Sequence, residues 1–132
     1  MARLKKVLLV DDDPITNKVN TRLLKKLDVT DTIDVVWNGK EAIEYLKSKE
    51  IDDLPTLIFL DINMPVMNGF EFLEAFHNEF KEEDRPVVLM MLTSSVQNTD
   101  YTKAKSYSEV TQYIPKPLSP TKLEEIIEQY FK

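Results

Sequence analysis

The chain has no cysteine, a single histidine and a single tryptophan. Without thiols there is no disulfide, no thiolate metal site and no cysteine nucleophile, a composition suited to a reducing cytoplasm. Long apolar runs are missing as well. Behind Arg3, Lys5 and Lys6, the stretch Val7-Leu8-Leu9-Val10 is too short for a secretory signal and runs directly into three aspartates, so nothing here targets or spans a membrane. Basic residues are the minority, 17 against 23 acidic for a net charge of −6, which disfavours nucleic-acid binding and leaves local contacts with protein partners. Linkers, repeats and low-complexity tracts are also absent. The 132 residues, 42% of them hydrophobic, are read as one domain, 1–132, with its own core and no output domain.

What is present is a regular alternation. Short apolar runs at 5–10, 32–36, 56–60, 86–92 and 112–115 are separated by amphipathic segments, the sequence form of βαβ units around a parallel sheet. The first, third and fourth runs are almost uninterrupted hydrophobics, as strands covered on both faces require. Ile33-Asp34-Val35 alternates and Tyr113-Ile114 is brief, which places the second and fifth strands at the edges. The expected fold is therefore α/β: a flavodoxin-like, doubly wound, five-stranded parallel sheet of order 2-1-3-4-5 with helices on both faces. Asp13-Pro14, Asn38-Gly39, Asn68-Gly69 and Ser119-Pro120 read as helix starts. Leu73, Phe76 and Phe80 give the third helix a buried stripe, and Leu123, Ile126, Ile127 and Tyr130 do the same for the last. Residues 94–110, polar and without an apolar stripe, are expected to form a loop and a weak fourth helix. Trp37, Met90 and Met91 read as packing residues, and the one histidine, His77, as an exposed position on the third helix.

In such a sheet the C-terminal ends of the strands share one rim, which gathers Asp11, Asp12, Asp61, Thr93 and Lys116 around a single crevice. Taken one at a time these residues have ordinary uses, Asp13 as a helix cap and Asp61 as a loop residue. A helix N-terminus, however, offers a carboxylate only about 0.3–1 kcal/mol. Two like charges ~4 Å apart repel by about 4 kcal/mol at an effective dielectric near 20. Meeting carboxylates must therefore take up a proton or a cation, and an oxygen-only set on short loops suits Mg2+, which completes its shell with water and phosphate oxygen. Asp61 can then serve as a nucleophile toward phosphorus, with Lys116 and the Thr93 hydroxyl meeting phosphoryl oxygens.

Val10-Asp11-Asp12-Asp13-Pro14, Leu60-Asp61-Ile62-Asn63-Met64-Pro65 with Asn68-Gly69, Thr93 and Lys116-Pro117 together resemble the receiver domain of two-component response regulators, over nearly the whole chain from about Lys5. The resemblance implies Asp61 as the phosphoacceptor, with Mg2+ held by Asp12, Asp61 and the backbone carbonyl of Asn63 while Asp11 assists through water. It further implies Thr93 and Lys116 as phosphoryl-binding groups, a cis Lys116-Pro117 peptide, and Tyr113 as a switch aromatic paired with Thr93. Asn63 and Ser95 match positions that border the path of water to the acyl phosphate. The donor would be a histidine kinase or a histidine phosphotransfer protein and the receiver of the signal a downstream protein, with a phosphorylation-dependent homodimer also open. The location would be cytoplasmic, and the role that of a switch in a phosphorelay rather than of an enzyme.

Two departures from the family pattern, Ser94 after the threonine and Tyr107-Ser108 in place of a Gly-Ala pair, fall where the output surface commonly lies. Two other functions are left open by the residues. An aspartate-nucleophile phosphohydrolase would want the same cation, threonine and lysine, but usually carries a second aspartate where this chain has Asn63, together with a cap domain. An interaction module that keeps the site without being phosphorylated would take up no phosphoryl group.

Overall fold

The computed structural model describes residues 4–80 and 87–131. Five strands, β1 (Leu4–Val10), β2 (Thr30–Val36), β3 (Leu57–Leu60), β4 (Val88–Thr93) and β5 (Val110–Pro115), alternate with five helices, α1 (Pro14–Lys26), α2 (Gly39–Lys47), α3 (Gly69–Glu79), α4 (Asn98–Lys105) and α5 (Pro120–Tyr130). Among the described residues, a 3-10 turn at Ile51–Asp53 precedes β3. The strands are all parallel, in the order β2-β1-β3-β4-β5. Pro86, which the sequence puts at the head of the fourth strand, lies outside the described residues.

Alternation along the central strands divides the core into two layers. Leu8, Ile58 and Met91 face α2, α3 and α4, where they meet Ala42, Leu46, Phe72, Leu73, Phe76 and Ala104. Val7, Leu9, Phe59 and Met90 face α1 and α5, where they meet Leu24, Leu123, Ile126 and Ile127. Phe59 and Phe72 are fully buried, each worth about 2–3 kcal/mol of apolar transfer. All residues of β3 are buried, whereas β2 and β5 are mostly half-exposed, as edge strands should be.

Helix starts follow local chemistry. Asp13, Asn38, Asn68 and Ser119 each cap the following helix by accepting a backbone N–H, from Ile15, Glu41, Glu71 and Lys122 respectively. Asn68 and Glu71 close a reciprocal capping box at 2.9 Å in both directions. The fourth helix is present but buries only Ala104, in keeping with its lack of an apolar stripe.

Three readings need adjustment. β2 begins at Thr30 rather than at 32, and β5 begins at Val110 rather than at 112. In β5 the pairing jumps from Leu89↔Val110 to Met90↔Gln112, so Thr111 is an inserted residue that breaks the alternation from which the strand was read. Trp37 is not a packing residue. It follows the exposed edge strand, is 43% accessible, and is anchored through its backbone N–H to the Glu41 carboxylate at 2.8 Å. No helix among the described residues is long and apolar enough to cross a membrane.

Candidate functional site

The three aspartates after β1 divide their work. Asp13 turns outward to cap α1, accepting from Ile15 N at 3.0 Å and from the Thr16 hydroxyl at 2.8 Å. The Thr16 hydroxyl and the Ile15 amide hold its carboxyl below the usual range. Asp11 turns inward and is buried, with Oδ1 accepting from Asp13 N at 2.9 Å, while Asp12 stays exposed. Asp61, immediately after β3, is also buried, and Ile62 N donates to its Oδ1 at 2.8 Å.

Lys116 joins the two buried carboxylates. Its Nζ lies 2.7 Å from Asp11 Oδ2 and 3.3 Å from Asp61 Oδ2, the tighter contact being to Asp11. Carboxylate oxygens of Asp11, Asp12 and Asp61 all come within 4.8 Å of one another. Burial, and then the charge of Asp11, push the Asp61 carboxyl above its usual range, against the opposing pull of Lys116 and the Ile62 amide. For Lys116 burial works downward but is overcome by the Asp11 hydrogen bond and the two carboxylate charges, so the ammonium is held above its usual range. One ammonium against three carboxylates leaves an excess of negative charge on oxygen-only donors, and such a set fits a hard divalent cation.

Thr93, the last residue of β4, is fully buried. Its Oγ1 accepts from Ser95 N at 3.1 Å, and its carbonyl accepts from Lys116 N at 2.9 Å. The Lys116-Pro117 peptide is cis, as the resemblance implied. Asn63 is exposed in the loop two residues beyond Asp61. Tyr113 packs edge-on against Tyr101 of α4, with ring centroids 5.4 Å apart. Its hydroxyl is buried and makes no hydrogen bond of normal geometry; the Ser95 hydroxyl is instead committed to Asp100 at 2.6 Å. Burial raises the phenol's pKa. His77 is exposed on α3 and pairs with Glu109, apart from the acidic cluster.

The loop from Asp61 to α3 is held by close backbone packing. Gly69 N donates to Ile62 O at 2.8 Å, and Gly39 N donates to Met67 O at 2.8 Å. A Cβ on Gly69 would sit 2.3 Å from the Asp61 carbonyl oxygen. Between them Met67 N reaches Pro65 O at 2.7 Å, a γ-turn centred on Val66 with φ 68. A β-branched residue is strained there, and Val66 is 76% exposed, so its side chain offers little packing in return. Val66→Gly is therefore expected to raise stability by about 0.5–1 kcal/mol, measured by urea unfolding. A decrease would show that the turn carries no strain.

Sequence reasoning missed Asn17 and Asn20, both buried on the inner side of α1. Asn17 Nδ2 donates to Asp11 O at 2.9 Å, and its Oδ1 is buried without a partner. Their spacing to Leu24, i, i+3 and i+7, is the signal that would have placed them inward.

Comparison with known proteins accords with this geometry. A family model described as the response regulator receiver domain matches residues 7–128. A two-component response regulator from Cytophaga hutchinsonii is 31% identical, superposes with a TM-score of 0.85, and is covered over 96% of either chain. A probable methanogenesis regulatory protein, FilR2, of Methanothrix harundinacea is 30% identical over 93% of this chain and 79% of its own length. The sensor histidine kinase CheAY of Helicobacter pylori is 32% identical over 96% of this chain, which spans only 15% of that larger protein.

Proposed function

We propose, from the premise that this chain belongs to the response regulator receiver domain family and is a phosphoacceptor signalling switch, that Asp61 is the residue that takes the phosphoryl group. The observation that carries the assignment is the Lys116 ammonium set between the two buried carboxylates, 2.7 Å from Asp11 and 3.3 Å from Asp61, with Asp12 beside them. In the transfer an Asp61 oxygen attacks phosphorus, the bond from phosphorus to the donor breaks, and the donor leaves with the electron pair. Lys116 and the Thr93 hydroxyl meet the phosphoryl oxygens as the charge on them grows.

Receiver domains use Mg2+ at their acidic pocket, and here Asp11, Asp12, Asp61 and the backbone carbonyl of Asn63 would hold it. When bound, the ion neutralises phosphoryl charge and relieves the repulsion among the carboxylates. Receiver domains take their phosphoryl groups from histidine kinases or histidine phosphotransfer proteins, and we assign a donor of that kind, in the cytoplasm. Signal passes to a downstream protein partner, with a phosphorylation-dependent homodimer as one form of that contact. Tyr113 and Thr93 form the switch. The unbonded phenol lies on an edge strand against α4, where repacking is least hindered.

Incubating the full chain with a small acyl-phosphate donor and Mg2+ should raise its intact mass by one phosphoryl group, and peptide mapping should put the group on Asp61. A mass that does not change with the small donor or with any histidine-kinase donor would overturn the assignment.

A further inference from the structure

The inner face of α1 carries amides where an apolar side chain would be expected. Positions 17, 20 and 24 follow the spacing of a buried stripe, yet only Leu24 is apolar, and Asn17 and Asn20 are 4% and 5% exposed. Buried amides persist when their hydrogen bonds are met. Half of Asn17 is met, through Nδ2 to the Asp11 carbonyl, and that bond fixes the orientation of the amide, because the reverse would set two oxygens against each other. The other half, Oδ1, has no partner in the protein.

Next to Asn17 is a small cavity of about 10 Å³. Asn17, Asn20, Asp11 and Asp61 supply its polar lining, and Phe59 and Leu92 contribute apolar wall. A buried water needs roughly 10–15 Å³ and two to four polar partners, and this cavity provides both. We propose that one water is held in this cavity, which Asp11 and Asp61 help to line, and that Asn17, through that water and its bond to Asp11, is a positioning residue for the acidic cluster. The water donates one hydrogen to Asn17 Oδ1 and the other to an acceptor of Asp11 or Asp61, both of which line the same cavity. Negative charge at the site is then met from inside the fold as well as by Lys116 from the rim. The role in phosphorylation rests on the reading of Asp61 as phosphoacceptor; the water and its effect on cation binding do not.

The test compares the full chain with Asn17→Leu, which has nearly the same volume but no polar atom, and Asn17→Ser, which restores a hydroxyl. In the parent, water–amide NMR cross-relaxation should reveal a long-lived water next to the Asn17 side-chain amide. In Asn17→Leu, Mg2+ affinity and the initial rate of phosphorylation at saturating Mg2+ should each fall about tenfold, the loss expected for a hydrogen bond to a charged group. The melting temperature should fall, since the Asp11 carbonyl loses its donor. Mg2+ affinity and rate are therefore read on the folded protein well below the melt, which separates positioning from a purely structural role, and Asn17→Ser should recover most of the loss. Absence of a long-lived water in the parent, or parental rates and Mg2+ affinity in Asn17→Leu, would overturn the proposal. If Asn17→Leu does not fold, the parent's water signal decides it. A parent that took up no phosphoryl group while Mg2+ affinity still dropped in Asn17→Leu would count against the assignment of Asp61 and leave this inference standing.

Discussion

Asp61→Asn is expected to leave the protein unable to accept a phosphoryl group and, in the absence of divalent cations, more stable than its parent. The first effect is chemical, because an amide oxygen is a poor nucleophile toward phosphorus and forms no acyl phosphate. Intact mass after treatment with a small acyl phosphate and Mg2+ should not change. The second effect is electrostatic. Asp61 is buried near Asp11, and its carboxyl is pushed up first by burial and then by that charge. Between the ordinary value of 3.8 and the raised one, the folded state binds more protons than the unfolded state, so stability falls as pH rises through that window. Above it both states are ionised and the penalty is fully present. Removing the charge should therefore raise stability, and with it the melting temperature, near neutral pH. Lys116 keeps Asp11 at 2.7 Å and is not stranded by the change. Its raised pKa contributes stability that is fully present below about 10.5, the unfolded value, and is lost only as pH climbs through the folded one, so it does not obscure the acid-side comparison. Melts from pH 4 to 8 in chelator should show the variant's advantage growing and then levelling off. A variant less stable than the parent at every pH would refute this account of the site's electrostatics.

Gly69→Ala should damage both folding and phosphorylation. The added Cβ would lie 2.3 Å from the Asp61 carbonyl oxygen and 3.0 Å from Ile62 Cα, and those atoms are backbone that cannot rotate away. Either the start of α3 withdraws and the Gly69 N to Ile62 O bond is lost, or the peptide after Asp61 shifts. Overpacking of this kind costs about 1–3 kcal/mol, and backbone contact places it at the upper end. A displacement of Asp61 near 1 Å would also slow phosphorylation by roughly 100-fold. Urea unfolding and the initial rate of phosphorylation should therefore both change. Parental stability with a parental rate would mean that the approach is looser than it looks.

Much of this architecture could be read from residue order because local and global signals agree. The interior strands announce themselves as unbroken apolar runs, and their order puts Asp11, Asp12, Asp61, Thr93 and Lys116 on one rim, where the structure also finds them. Asp13 was legible as a cap because its neighbour is Pro14. What stayed hidden depends on tertiary packing. The inserted Thr111 breaks the period of β5, Trp37 looks apolar wherever it stands, and the inward turn of Asn17 and Asn20 is masked by their polarity. The acceptance of the Lys116 ammonium by Asp11 more closely than by Asp61 is a matter of tenths of an ångström, and residue spacing carries no such information.

The main-chain bond from Lys116 N to Thr93 O makes the ends of β4 and β5 a single jaw. The residue that offers the hydroxyl and the residue that offers the ammonium are thus tied together through their main chains. Tyr113 lies three residues back from Lys116 on β5, its ring packed edge-on against Tyr101 of α4, so the same main-chain link runs on to the face that the fourth helix covers.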